Sequence, residues 1–271
     1  MNHMQSLLSV YPPREARALY MLVMEVAFGL DSTQVLLGKD KELSLDKQTL
    51  LQNIIDRLVR KEPVQYVLGQ TDFCGHTFHV EPGVLIPRPE TQELVHLINH
   101  QHPTPCSILD IGTGSGCIGI SLALEGHQVT AFDVSPDALG IAQENAKRLS
   151  TNVDFREENI LHPSRTQQQW NVIVSNPPYI CKKEAAQMDA NVLEYEPHLA
   201  LFVPDNDPLL FYRAIGQYAL EHLTHLGRLY FEINEAYPTE TASLLAEMGY
   251  RQVVVHQDNF GKSRFVSALK E

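Results

Sequence analysis

The sequence has little that would tie it to a metal, a disulfide framework or a membrane. Four of its 271 residues are cysteine: Cys74, Cys106, Cys117 and Cys181. None forms a C-x-x-C pair and their spacing suits no zinc site. They read as free thiols of a reducing compartment, and no metal is expected. The twelve histidines are scattered without metal-ligand spacing. No apolar run reaches the roughly 18 to 20 residues that span a bilayer, and no basic stretch followed by an apolar one opens the chain. A cytoplasmic protein with no membrane partner is the expectation. Positive charge is also short. Lys and Arg number 21 against 33 Asp and Glu, for a net charge of -12. This argues against broad binding to a phosphate backbone, which needs clustered Lys and Arg, so no direct nucleic-acid binding is expected. There are no internal repeats and no low-complexity segment, and the single tryptophan, Trp170, reads as packing.

What is present is an ordinary globular share of apolar residues, 44%, in a chain long enough for two domains. Residues 1–69 read as a small helical bundle. Arg14 to Phe28 carries Ala16, Leu19, Tyr20, Leu22, Val23, Val26 and Ala27 at helical spacing, with Gly29 as a stop. Asp31-Ser32-Thr33 can cap a short helix. Ser44 can cap another that runs to about Arg60, with Leu50, Leu51, Ile54, Ile55, Leu58 and Val59 on its apolar side. Residues 70–91 form a stiff connector. Thr71–Phe73 and Thr77–Val80 flank Gly75 as a hairpin, and Val84–Ile86 runs extended into Pro87-Arg88-Pro89-Glu90-Thr91, where a helix is expected to start.

Residues 92–271 alternate strands and helices. Strands are expected at 107–111, 128–133, 153–156, 170–175 and 228–233, with a closing pair at 251–256 and 264–269. That pattern implies a mostly parallel α/β sheet with helices on both faces.

Chemistry concentrates at two places. Asn176-Pro177-Pro178-Tyr179 follows the buried strand ending at Ser175, and strand carboxyl ends are where such sheets bind ligands. The Asn amide accepts and donates, carbonyls beside rigid prolines can accept, and Tyr179 offers a flat face. The stretch fits a clamp for a planar nitrogen as well as it fits a tight turn. The second place is Asp110-Ile111-Gly112-Thr113-Gly114-Ser115-Gly116, a glycine turn between strand and helix. Gly114, Gly116 and Gly119 match G-x-G-x-x-G, and Asp133 lies at a distance suited to ribose hydroxyls, so a nicotinamide dehydrogenase is a live rival. Asp110 tilts away from it, because a carboxylate there suits an ammonium group better than a pyrophosphate. S-adenosylmethionine, with an amino-acid end, a ribose and a reactive methyl, satisfies both features and makes Asn176–Tyr179 the clamp.

With these residues the chain resembles the glutamine N5-methyltransferases that modify peptide-chain release factors, over nearly its whole length. D-x-G-x-G-x-G and N-P-P-Y are shared with other amino-methylating enzymes. The hairpin 73–80, Ile86-Pro87-Arg88-Pro89-Glu90-Thr91 and Glu196-Pro197-His198-Leu199-Ala200-Leu201 are similar to that family in particular.

The resemblance implies a class I S-adenosylmethionine-dependent (Rossmann-like) methyltransferase fold, a seven-stranded mostly parallel sheet preceded by a helical-bundle domain and a β-hairpin connector. It implies that residues 1–69 recognise substrate. It implies that Gly112, Thr113, Gly114, Ser115 and Gly116 hold the methionine part of the cofactor, with Asp133 on the ribose and Asn159 and Ile160 near the adenine. Relatives commonly carry an Asp at the position of Asn159, and some a large aromatic at Ile160. Asn176 would meet cofactor and substrate, and Asn176, Pro177, Pro178 and Tyr179 would form the glutamine site. The implied reaction is methyl transfer to the glutamine of the Gly-Gly-Gln loop of class-1 release factors, giving S-adenosylhomocysteine, by a monomer. An adenine N6 nucleic-acid methyltransferase and a non-catalytic module that keeps the cofactor fold are the alternatives. Gln92 is assigned no role. Arg88 and Glu90 are expected to pin the connector by ion pairing. Glu196 fits a lid over the substrate and a surface position about equally.

Overall fold

A computed structural model describes residues 3–271; Met1 and Asn2, part of the expected helical domain, lie outside the described residues. Two units are distinguished. One runs to Gln70 and includes Asp189–Tyr195; the other comprises Thr71–Met188 and Glu196–Glu271.

The first unit holds α1 (His3–Leu8), α2 (Pro13–Phe28), α3 (Ser32–Leu36), α4 (Leu45–Val59) and α5 (Val64–Leu68). Pro13 begins α2 where no N–H is needed, and Gly29 ends it at φ 68°, donating to Glu25. Asp31 and Gln34 form a reciprocal capping box on α3 at 2.8 and 2.9 Å. Ser44 stands at the start of α4, but its side chain makes no capping bond, contrary to expectation. Ala16, Tyr20, Val23 and Met24 of α2 pack with Leu51, Ile54, Ile55 and Leu58 of α4. Leu22 and Leu50, expected on those faces, are exposed. Each precedes a buried residue by one position, about 100° round the helix. Arg57 closes the end of α4, donating to Glu62 at 2.8 Å and to the carbonyls of Tyr66 and Val67.

The second unit opens with the hairpin β1 (Gln70–Phe73) and β2 (His76–His79). Cys74 and Gly75 turn it at φ 48° and 76°, the all-positive geometry of a two-residue hairpin loop. Gln92, given no role by the sequence, accepts from the Cys74 N–H at 2.9 Å and fixes the turn. Phe73 and Phe78 meet edge to face and enter the same core as Leu94, Ile98, Ile108 and Val174. The hairpin is thus part of this unit's core. Next, α6 (Pro89–Gln101) starts two residues before Thr91. Pro89 takes the first helical position, so the proline-rich signature runs into the first turn.

The remaining elements are β3 (Ser107–Ile111), α7 (Cys117–Leu124), β4 (Gln128–Asp133), α8 (Pro136–Arg148), β5 (Asp154–Glu157), β6 (Trp170–Ser175), β7 (Ile180–Cys181), α9 (Ala190–Tyr195, grouped with the helical unit), α10 (His198–Leu201), β8 (Phe202–Val203), α11 (Leu210–His222), β9 (Leu223–Glu232), α12 (Pro238–Glu247), β10 (Arg251–Gln257) and β11 (Ser263–Leu269). One seven-stranded sheet has the order β10-β11-β9-β6-β3-β4-β5. Its strands are parallel except β11, which runs antiparallel to both β9 and β10. The central strands are buried on both faces. Ile108, Val172 and Val174 join one apolar cluster and Leu109, Ile111 and Ile173 the other, the period-2 alternation of a covered sheet. Trp170 is buried and donates to Thr130. β9 starts five residues earlier than expected. The early part pairs Trp170 with Leu223, and the register shifts before Val172 meets Arg228. The small parallel pair β7 and β8 had no sequence signal.

One side chain ties the hairpin to the sheet. Asn145 of α8 accepts from the His79 N–H at 2.6 Å and donates to the carbonyls of His79 and Ser115, both at 2.9 Å. Removing it strands buried backbone groups. Asn145→Ala is expected to lose about 3 kcal/mol in urea denaturation; a loss below about 1 kcal/mol would mean that water replaces these bonds at little cost.

Candidate functional site

The carboxyl ends of β3, β4 and β6 lie side by side, with Ile111 paired to both Phe132 and Ser175. Ser175 Oγ donates to the Ile111 carbonyl at 2.6 Å and locks two of these ends together. Past them the chain lines a cavity of about 380 Å³, within the range of small-ligand sites. Gly112, Gly114, Asp133, Asn159, Ile160, Asn176, Pro177 and Pro178 all line it. Of the other expected site residues, Asp110, Thr113 and Ser115 are buried and do not line it, and neither do Gly116 and Tyr179. The wall also includes Gly83–Leu85, Ser135, Glu158, Leu199 and Phe211, which sequence reasoning did not assign.

The glycine turn folds back on β4, because the Gly112 and Thr113 amides both donate to the Phe132 carbonyl at 2.8 and 3.0 Å. Gly116 opens α7 at φ 82°, and a Cβ there would sit 2.6 Å from Ile120 Cδ1. Gly119 serves packing, since a Cβ would lie 3.0 Å from Asp110 Oδ2. The third glycine of the dinucleotide-like spacing therefore lets α7 approach the strand closely.

Two acids set the electrostatics. Asp133 accepts from the Gly114 N–H at 2.8 Å and the Ser135 N–H at 3.0 Å, which orients its carboxylate at the cavity wall. Burial nevertheless raises its pKa. Asp110 is fully buried beneath the turn. Its Oδ2 accepts from Thr113 Oγ1 at 2.6 Å and from the Gly119 N–H at 3.0 Å, while its Oδ1 has no partner among the described residues. Burial pushes its pKa up to about 7, against the pull of those two bonds. A buried carboxylate oxygen without a donor fits a ligand that brings an ammonium group. Asn159 Oδ1 accepts from the Leu161 N–H and shapes the turn after β5. Ile160 packs against the apolar cluster that includes Phe132 and Ile215.

At the end of β6, the Asn176 Nδ2 donates to Thr91 Oγ1 at 3.4 Å. The Tyr179 hydroxyl donates to Glu232 Oε1 at 3.1 Å, and its carbonyl accepts from Asn234. Tyr179 is thereby tethered at both ends. Glu196 is buried, which corrects the surface alternative. It accepts from Arg88 at 2.6 Å and from the Ile86 N–H at 3.2 Å, so Arg88 does pin the signature segment by an ion pair. Pro197, the residue after Glu196, then lines the cavity.

Comparison with known proteins decides the family. Residues 89–194 match the model of the methyltransferase small domain, and residues 2–69 match that of the PrmC N-terminal domain. The release factor glutamine methyltransferase of Bacteroides thetaiotaomicron is 49% identical over 267 residues, covering 97% of this chain and 96% of that protein. That of Flavobacterium psychrophilum is 43% identical, covering 97% and 94%. The chain belongs to the release factor glutamine methyltransferase family. Solved structures agree with this family's fold. A methyltransferase from Pyrococcus furiosus, 17% identical, superposes with a TM-score of 0.54 over 83% of this chain and 98% of that one. A Thermus thermophilus 16S rRNA methyltransferase, solved with AdoMet and guanosine, gives 0.54 at 17% identity over 74% and 50%. The fold is the class I methyltransferase fold expected from the sequence.

In this family member the price of Asp110 is measurable. A carboxyl whose folded pKa is raised to about 7 from 3.8 favours the fold below its unfolded value, and that advantage is lost as pH rises through about 7. In ligand-free protein the thermal midpoint of Asp110→Asn, relative to wild type, is expected to rise between about pH 5 and about pH 8. A difference that stays constant with pH would contradict the shift.

Proposed function

We propose that the protein transfers the methyl group of S-adenosylmethionine to the side-chain amide nitrogen of the glutamine in the Gly-Gly-Gln loop of class-1 release factors. One observation carries the reading beyond family membership. Asn176 and Pro177, an amide and a proline at a strand end, share a cavity wall with Gly112, Gly114 and Asp133. A cofactor cradle and a clamp for a planar nitrogen thus open on one space.

S-adenosylmethionine, when bound, supplies an electrophilic sulfonium methyl and leaves as S-adenosylhomocysteine. Asp110, behind the cavity wall, holds the glycine turn through Thr113 and Gly119 and would set negative charge behind the ammonium end. Asp133 would hold ribose hydroxyls, and Asn159 and Ile160 would border the adenine. The glutamine amide nitrogen is a poor nucleophile because its lone pair is delocalised into the carbonyl. The chain's task is placement, which can contribute about 7–11 kcal/mol. Asn176 Oδ1 and the Pro177 carbonyl accept the two amide hydrogens, which fixes the nitrogen and raises its electron density. Pro178 stiffens the backbone that presents these acceptors, and Tyr179, outside the cavity wall, anchors the clamp through Glu232 and Asn234. The nitrogen sheds one proton to water as the new bond forms. The helical unit is assigned to recognition of the release factor, and the protein is read as a cytoplasmic monomer. Among the described residues no helix is long and apolar enough to cross a membrane.

Mass spectrometry of a class-1 release factor after reaction is expected to find one added methyl on the loop glutamine. Asn176→Ala should lower the rate about 100-fold or more while the protein stays folded. An unmodified loop glutamine, or near-normal turnover by the variant, would defeat the reading.

A further inference from the structure

Two buried side chains that need not touch either substrate are joined to Asn176. Thr91 and Glu232 are each 2% exposed. Thr91 Oγ1 donates to Glu232 Oε2 at 2.6 Å, and the Asn176 Nδ2 donates to Thr91 Oγ1 at 3.4 Å. The other Glu232 oxygen accepts from the Tyr179 hydroxyl. Both ends of the clamp, Asn176 and Tyr179, therefore run into one carboxylate.

The directions of these bonds follow from chemistry. An ionised carboxylate only accepts, and a hydroxyl has a single hydrogen. Both Glu232 oxygens accept from hydroxyls, Thr91 at 2.6 Å and Tyr179 at 3.1 Å, which is the arrangement of a carboxylate. Burial and the charge of Glu90 raise its pKa against the pull of those bonds and of Arg264. With Glu232 ionised, Thr91 must spend its hydrogen on Glu232. It can then meet Asn176 only as an acceptor, so the Asn176 amide must turn its nitrogen toward Thr91. That leaves the amide oxygen as the end presented to a substrate N–H. The reversed amide would offer a donor to a donor.

We propose that Thr91 and Glu232 are positioning residues that fix which end of the Asn176 amide faces the glutamine. Thr91 sits in the first turn of α6, where Pro89 begins the helix. Glu232 ends β9, one residue past the pairing of Ser175 with Phe231 and opposite Phe265 of β11, so it follows the last paired residue beside Asn176. The Ile86–Thr91 signature, which the chemistry did not otherwise use, thus reaches the reacting nitrogen through one hydroxyl.

This inference rests on the methyltransferase reading, and wild-type turnover on the release factor is the control that separates the two. Thr91→Val keeps the shape and removes the hydroxyl. It is expected to lower kcat roughly tenfold or more, with the release-factor KM and the S-adenosylmethionine Kd within about threefold of wild type. Thr91→Ser should restore most of the rate. Glu232→Gln, which donates as well as accepts, no longer enforces the order and should lower kcat as Thr91→Val does. A wild type that does not methylate defeats the function itself. With an active wild type, the positioning role is overturned by wild-type kcat in Thr91→Val or Glu232→Gln, or by a Thr91→Ser variant as impaired as Thr91→Val. Should Thr91→Val fail to fold, Glu232→Gln and Thr91→Ser give the same decision.

Discussion

The register of β6 between β3 and β9 is the constraint on which the site depends. Ser175 pairs with Ile111 on one side and Phe231 on the other, and its hydroxyl holds the Ile111 carbonyl. The glycine turn begins one residue after Ile111, the clamp one residue after Ser175, and Glu232 follows Phe231. A slip of one residue would exchange the faces of Val172, Ile173 and Val174 and send Asn176 away from the cavity. The apolar clusters on the two faces therefore specify the active geometry as well as the fold.

Around that edge the protein keeps several carboxylates out of water. Asp110, Glu196 and Glu232 are all buried. Each has found hydrogen-bond donors, but only Glu196 has a guanidinium in direct contact, Arg88 at 2.6 Å. Burying a charge is costly unless its partners are good. The cost is deliberate where the carboxylate sets a direction: Glu196 fixes the segment before the cavity wall, and Glu232 fixes the hydroxyls of Thr91 and Tyr179. Asp110 is the least compensated of the three, with one oxygen unpartnered among the described residues. Stability given up at such a position is the usual companion of a preorganised site.

Much of this was legible in the sequence because the signals are local. Alternating apolar runs and helix stops located the sheet and most helices, and glycine at a strand-to-helix turn located the loop. Asn176, Pro177, Asp133 and the glycines at 112 and 114 could be singled out because each lies at or just past the carboxyl end of a strand. The residues that escaped are those whose role depends on distant partners. Nothing in Thr91 or Glu232 announces a hydrogen bond across 141 positions. Gln92 closes a hairpin turn that begins 18 residues earlier. Glu196 read equally as lid or surface, because its partner Arg88 is 108 residues away. The extended start of β9 was missed because the irregularity around Leu226 and Gly227 interrupts its alternation.

The proposed reaction depends above all on the end of β6 holding the reacting nitrogen. A crystal structure with S-adenosylhomocysteine and a glutamine-containing peptide from the release-factor loop tests it directly. The glutamine nitrogen is expected within about 3 Å of both Asn176 Oδ1 and the Pro177 carbonyl, with the Asn176 nitrogen still on Thr91. A glutamine amide bound to other groups, or an Asn176 amide turned the other way, would contradict it.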